Sequence, residues 1–142
     1  MVLSNQDCYI YYISELYFGK ENDFGIFKEE FEPGLGWFEK YKVAVDLGFI
    51  GIDKNYKIKE LLIGHKRKSK TKANPNPQLT TAQKEWNKIV SKERIYVEHA
   101  IGGMKRFRML INRGRGKCIE LKNEILGNCA ALWNYKVVFR GN

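Results

Sequence analysis

Residues 94 to 108 read Arg-Ile-Tyr-Val-Glu-His-Ala-Ile-Gly-Gly-Met-Lys-Arg-Phe-Arg, and they place one carboxylate in the most basic part of the chain. At 3.6 residues per turn, the apolar residues here and just before share one helical stripe, made of Trp86, Val90, Val97, Ile101 and Met104. Glu98 lies on the flank of this stripe. The sequence therefore predicts a long helix that carries Glu98 at the border of a core.

Two interpretations of Glu98 are open. It can form an ion pair with Arg94 one turn earlier, worth about 0.3 to 0.5 kcal/mol on an exposed helix. A functional role is favoured by Gly102 and Gly103, because each costs a helix about 1 kcal/mol relative to Ala and indicates the close approach of another backbone or a ligand. A second acid that could meet Glu98 across the fold is Asp46.

Residues 42 to 49 read Lys-Val-Ala-Val-Asp-Leu-Gly-Phe, in which a short apolar run ends in Asp46 and is soon followed by Gly48. Such a run is typical of a strand that is buried on both faces and delivers an acid to the carboxyl edge of a sheet, where the sites of α/β proteins lie. The alternative is structural, with Asp46 capping the strand end by accepting hydrogen bonds from nearby backbone amides.

The composition suits one soluble domain. The chain has 142 residues, of which 44% are hydrophobic, enough for a core. It has no apolar run of the roughly 18 to 20 residues that span a bilayer and no secretory leader, so we expect an intracellular protein, cytoplasmic and nucleoid-associated in a prokaryote. Three widely spaced cysteines without a Cys-x-x-Cys pair indicate neither a disulfide framework nor a zinc site.

Charge is split along the chain. Residues 1–65 carry seven lysines against eleven acids, a net charge of −4, whereas residues 66–142 carry +13. A polyanion would be attracted to the second half. The basic loop, which we define as residues 64–79, contributes Lys66, Arg67, Lys68, Lys70 and Lys72. It can be a solvated, mobile segment or a contact for phosphates.

Other patterns predict the remaining elements. In chain order they are strands at 1–4 and 9–18, a helix from 22 or 23 to 31, a brief helix or strand at 58–63, a helical region at 80–111 and a last helix at 119–139. Thr80 and Gln83 form a capping box that opens the helical region, with a break expected near Ser91. The last helix is predicted to turn Ile125, Cys129, Leu132 and Trp133 toward the core.

Several segments together resemble the DDE transposases of the insertion-sequence and Harbinger type. Residues 19–23, Gly-Lys-Glu-Asn-Asp, are similar to the family's Gly-x-x-x-Asp, and residues 46–51 to its Asp-x-Gly-Tyr-x-Gly, with Phe49 in place of Tyr. Residues 94–102 and 105–107 match Arg-x-x-Val-Glu-x-x-x-Gly and Lys-Arg-Phe. Leu79-Thr80 and Asn87 also fall on the pattern, so the resemblance covers nearly the whole chain.

The resemblance implies an α/β, ribonuclease-H-like catalytic core, a mixed sheet flanked by helices, that cuts and joins DNA strands with Mg²⁺ or Mn²⁺. Asp46 corresponds to the second acid of the catalytic triad, Glu98 to the third and Asp23 to an auxiliary metal-site acid. Hard divalent cations prefer such oxygen ligands. DNA phosphates would be held by Lys66, Arg67, Lys68, Lys70, Lys72, Arg94, Lys105, Arg106, Arg108, Arg113 and Arg115.

The chain departs from the family at the first acid, which precedes Gly-x-x-x-Asp on an earlier strand. Only 22 residues precede Asp23, and Asp7, in Ser-Asn-Gln-Asp, is typical of a turn. Residues 1–142 are therefore predicted to be the C-terminal portion of the catalytic domain, a partial core without its first strand. The expected partners are transposon ends, target DNA and the upstream part of the transposase. The alternatives are a catalytically inactive DNA-binding remnant and a nucleic-acid-binding module unrelated to transposition.

Overall fold

A computed structural model describes residues 1–17, 22–72, 74–111 and 118–140, which form strands and helices in an α/β arrangement. The strands are β1 (Val2–Ser4), β2 (Ile10–Ile13), β3 (Phe38–Val45) and β4 (Ile58–Ile63). The helices are α1 (Asp23–Glu30), α2 (Thr81–Lys105), α3 (Arg108–Ile111) and α4 (Ile119–Val138), with 3-10 turns at Leu47–Phe49 and Ile52–Lys54. The chain divides into a central unit, residues 22–94, and a terminal unit, comprising what is described of residues 1–21 and 95–142.

An aromatic cluster organises the central unit. Phe27 of α1 is buried, and its ring centroid lies 5.0 to 5.6 Å from the rings of Phe31, Phe38, Phe49 and Tyr56. Helix α1 begins where predicted, because the side chain of Asn22 accepts a hydrogen bond from the Gly25 N–H. The rings anchor this short helix to the segment from β3 to Tyr56 and so fix the position of its first residue, Asp23.

Strands β3 and β4 pair in parallel, with Val43 opposite Leu61 and Val45 opposite Ile63. The segment 58–63, left open between helix and strand, is a strand. The prediction that the run before Asp46 is buried on both faces is wrong. Residues 43–45 are half-buried and Lys42 is exposed, since β3 has a hydrogen-bonded strand on only one edge within the described residues.

The terminal unit opens with an antiparallel pair, β1 and β2, and the predicted turn lies between them. Asn5 stabilises the turn, because its Oδ1 accepts hydrogen bonds from the Asp7 and Tyr9 N–H groups at 3.0 and 2.9 Å. β2 ends at Ile13, earlier than predicted, and Phe18 lies outside the described residues. The core beneath this pair is formed by Ile10, Ala100, Met104, Ala130 and Trp133.

The capping box of α2 is confirmed. The Gln83 N–H donates to Thr80 Oγ1 at 3.2 Å, and the Thr80 N–H donates to Gln83 Oε1 at 3.0 Å. The break expected near Ser91 is wrong, because α2 continues to Lys105 before the chain bends into α3. A serine on an exposed turn costs a helix little, and the packed residues on either side maintain the helix.

The core face of α4 was predicted only in part. Cys129 and Trp133 are buried, as expected, and Ile125 is half-buried, but Leu132 is 54% exposed. Apolar residues occur on more than one side of this helix, so its sequence pattern does not identify a single buried face.

The coarse prediction of an α/β fold is confirmed. The described strands pair in one antiparallel and one parallel two-stranded sheet, where a single mixed sheet was expected. A helix long and apolar enough to cross a membrane does not occur within the described ranges.

Candidate functional site

Asp46 directly follows the last residue of β3 and caps the 3-10 turn Leu47–Phe49. The Leu47 N–H donates to Asp46 Oδ1 at 2.7 Å. The structural interpretation of Asp46 as a cap is therefore confirmed. A cap uses one carboxylate oxygen and leaves room for further contacts.

Arg94 makes one of those contacts. Its Nη1 lies 3.1 Å from the same Asp46 Oδ1. The Asp46 side chain is nevertheless 59% exposed, and neither the cap nor the ion pair is made to its Oδ2. The carboxylate thus has one restrained oxygen and one accessible oxygen. The DNA contact predicted for Arg94 stays a prediction.

Asp23, the first residue of α1, lies beside the turn that Asp46 caps. A Cβ placed on Gly48 would be 3.9 Å from Asp23 Oδ2. The rings of Phe24 and Phe27 hold α1 against this turn, with centroids 6.1 and 5.6 Å from the ring of Phe49. Two acids that are 23 positions apart in sequence are therefore brought to one 3-10 turn.

The two glycines of the motif at 46–51 differ in what the backbone requires of them. A Cβ on Gly48 would make only an ordinary contact with Asp23. Gly51 has φ +92°, a left-handed conformation that costs other residues roughly 1 to 2 kcal/mol. Gly51 therefore sets the backbone conformation after the turn that Asp46 caps.

Glu98 lies on α2 in the terminal unit and is exposed, as is His99. Its convergence with Asp46 and its ion pair with Arg94 both stay predictions. Core packing accounts for the second of the two glycines that follow Glu98, but not for the first. A Cβ at Gly103 would lie 2.2 Å from the ring of Trp133, whereas one at Gly102 would meet nothing within 4 Å. The close approach at Gly103 is real, but an indole of the core makes it.

The predicted DNA-contacting residues that the structure describes are exposed, apart from Arg94. The described residues of the basic loop form no helix or strand, and Lys105, Arg106 and Arg108 follow Glu98 at and beyond the end of α2. Arg113 and Arg115 lie outside the described residues. The exposed side chains are free to approach a polyanion.

Sequence reasoning assigned no role to Asn87, although it falls on the family pattern. Its Oδ1 accepts from the His65 N–H at 2.7 Å, and its Nδ2 donates to the His65 carbonyl at 3.1 Å. Trp86 adds a hydrogen bond from its Nε1 to the Ile63 carbonyl at 2.9 Å. The start of the basic loop is thereby fastened to α2.

The acids of the central unit fit a divalent cation only in part. Asp23 and Asp46 offer the hard carboxylate oxygens that Mg²⁺ and Mn²⁺ prefer. Within the described residues, however, His, Cys, Asp and Glu do not form a group of three or more that could hold a metal ion. The pair by itself is an incomplete ligand set.

Asp46 follows a parallel strand, Asp23 begins the helix packed beside it, and the basic loop is anchored on α2. These features suit a protein that combines acidic metal ligands with phosphate binding. The family model of the DDE superfamily endonucleases matches residues 1–134, and the chain belongs to this family.

A probable transposase for insertion sequence element IS702, from Microchaete diplosiphon, is 32% identical to the chain over 124 residues. The match covers 86% of this chain and 40% of that relative, so the chain spans less than half of the relative's length. No solved structure matched the chain.

Proposed function

We propose that this chain is the C-terminal part of a DDE transposase, in which Asp46, Glu98 and Asp23 bind divalent cations and the basic residues hold DNA. The intact protein would cut and join DNA strands by metal-dependent phosphoryl transfer on a ribonuclease-H-like core. The family assignment supports the reaction class. The chemistry of the residues supports their separate roles, with the acids as metal ligands and the basic residues as phosphate contacts.

The observation that carries the proposal is the turn at Leu47–Phe49. It is capped by Asp46, which keeps its Oδ2 accessible, and it packs against the start of α1, where Asp23 lies. Exposed acids normally repel one another and stay apart unless a cation or another positive group joins them. Two acids at one turn, on the motifs that resemble the family's, are suited to share a metal ion.

Glu98 is included in the proposed metal site because of its spacing from Arg94 on α2. It follows Arg94, the partner of Asp46, by four residues, which is about one turn of helix. A family protein that needs an acid from this helix would obtain it from Glu98, since Arg94-x-x-x-Glu98 is the segment that matches the family motif.

A divalent cation in such a site supplies activation of a water or hydroxyl and stabilisation of the leaving oxygen. The chain's own carboxylates would hold the cation, and its lysines and arginines would orient the DNA phosphates. The family's first acid has no counterpart in this sequence, so the longer protein would supply it. In this proposal the upstream part of the transposase completes the metal site.

The shared metal site can be tested on the 142-residue chain by titrating Mn²⁺ and following the backbone amide resonances by NMR. Amides close to a bound paramagnetic ion lose intensity. We expect the amides around Asp23, Asp46 and Glu98 to fade along one binding curve. Glu98→Gln should lower the Mn²⁺ affinity measured at the Leu47 amide by about tenfold or more. Even outer-shell partners of a metal contribute about 10- to 100-fold to its affinity.

A matched control is Glu85→Gln, which removes the same charge from an exposed position of the same helix. It should leave the Mn²⁺ curve unchanged. If the amides around Glu98 keep their intensity while those around Asp46 fade, Glu98 does not belong to the metal site.

A second candidate is a DNA-binding protein without catalysis. It is favoured by the absence of a three-residue metal-ligand group from the described residues and by the ion pair between Arg94 and Asp46. This candidate predicts DNA binding that is indifferent to Mn²⁺ and to Asp46→Asn. The transposase proposal predicts that Mn²⁺ alters the DNA complex and that Asp46→Asn removes this effect.

A further inference from the structure

The ion pair between Arg94 and Asp46 is asymmetric at the carboxylate. Arg94 Nη1 forms an ion pair with Oδ1 at 3.1 Å, and the Leu47 N–H donates a hydrogen bond to the same oxygen at 2.7 Å. Neither of these two contacts is made to Oδ2, and the Asp46 side chain is 59% exposed. Arg94 itself is more enclosed, with 28% of its side chain exposed.

This arrangement restricts the rotation of Asp46. A single hydrogen bond from the adjacent backbone leaves an exposed aspartate able to change rotamer, because its side-chain torsions have alternative wells of similar energy. The ion pair with Arg94, which lies on another element, the α2 helix, attracts the same Oδ1 and so restrains the whole carboxylate, including the direction of Oδ2. The guanidinium is suited to this task because it is planar and always charged.

We propose that Arg94 is a positioning residue, which holds Oδ1 of Asp46 so that Oδ2 is presented to a divalent cation. This inference rests on the proposed metal-binding role of Asp46 and assigns to Arg94 a task other than contact with phosphate. The outer-shell partners of ligating carboxylates commonly contribute to the affinity for the metal.

The opposite role makes a contrary prediction. If Arg94 merely neutralised Asp46 and competed with the cation, its removal would strengthen metal binding, since a repelling positive charge would be gone. If Arg94 positions Asp46, its removal weakens metal binding in spite of the lost repulsion. The sign of the change therefore separates the two roles.

The experiment uses the 142-residue chain and its variants Arg94→Met, Arg94→Gln and Arg94→Lys, with Mn²⁺ as the probe. Broadening of the Leu47 and Gly48 amides gives the affinity at this turn, and the Hα–Hβ couplings of Asp46 without metal report its rotamer. We expect Arg94→Met to average the couplings and to weaken Mn²⁺ binding about tenfold, the lower end of the range for outer-shell partners. Arg94→Lys should keep most of the affinity, and Arg94→Gln should be intermediate.

Lys92→Gln is the matched control, because it removes a positive charge from an exposed position two residues away on α2. It should change neither the couplings nor the affinity. Mn²⁺ binding to Arg94→Met that is as tight as to the unaltered chain, or tighter, overturns the positioning role alone. Failure of Mn²⁺ to broaden the Leu47 amide in the unaltered chain overturns the metal site itself, and the proposed function with it. The amide spectrum of each variant shows whether it is folded. If Arg94→Met does not fold, the Mn²⁺ affinity and the Asp46 couplings of Arg94→Lys test the positioning role.

Discussion

Gly102 and Gly103 are adjacent in the same helix, yet alanine should have opposite effects at the two positions. At Gly102 a Cβ would meet nothing within 4 Å, so Gly102→Ala should gain the difference in helix propensity, about 1 kcal/mol. At Gly103 a Cβ would lie 2.2, 2.4 and 2.4 Å from three ring atoms of Trp133. Ordinary carbon contacts are about 3.5 to 4.0 Å, so the ring or the helix must move by about 1 Å or more.

The ring cannot move freely. Trp133 is only 4% exposed, and its Nε1 donates a hydrogen bond to the Cys8 carbonyl at 2.8 Å. Overpacking of a core costs about 1 to 3 kcal/mol, and the rigid surroundings favour the upper end. After the gain in helix propensity, Gly103→Ala should destabilise the chain by about 2 kcal/mol. The two variants should then differ by about 3 kcal/mol in the free energy of unfolding.

Urea unfolding followed by far-ultraviolet circular dichroism measures this difference. With a typical dependence of about 1 to 3 kcal/mol per molar urea, the two midpoints should be separated by about 1 M or more. In a Trp133→Leu background, which removes the ring, Gly103→Ala should cease to be harmful. Equal effects of the two alanines, or a larger loss at Gly102, would refute the packing argument.

The other predictions concern binding, activity and local stability. DNA affinity should fall steeply with salt, with about −0.9 in log-log slope per phosphate contacted, and neutral replacements throughout residues 66–72 should reduce that slope. The chain alone, with Mg²⁺ or Mn²⁺, should neither nick nor join DNA carrying the element's ends. Fusion to the upstream part should restore cleavage, and Glu98→Gln should abolish cleavage in that fusion. Cleavage by the chain alone would show that the missing acid is not required. Thr80→Ala should cost about 1 kcal/mol in the free energy of unfolding, measured in urea, because the capping box loses a hydrogen bond. Burial raises the pKa of the Cys129 thiol, which reduces its reactive thiolate at any given pH, so an aromatic disulfide reagent at mildly alkaline pH should modify exposed Cys118 well before Cys129. Equal rates for the two thiols would contradict the buried position of Cys129.

Local signals in the sequence were sufficient for several features. The Asn22 cap, the Thr80 and Gln83 capping box and the turn near Asp7 each depend on a side chain bonding to backbone a few residues away. The position of Asp46 just after a strand was also predictable, because an apolar run that stops at an acid and a glycine is typical of a strand end. The family motifs also identified the family to which the chain belongs.

Tertiary contacts decided the rest. Nothing local indicates that Arg94 would reach Asp46, 48 positions away in sequence, or that the close neighbour of Gly103 would be the ring of Trp133. The same is true of the half-buried β3 and the exposed Leu132, since burial depends on which neighbouring surfaces are present. Sequence periodicity defines the faces of a helix or strand, but only packing of distant segments determines which face is covered and which charged group becomes the partner of an acid.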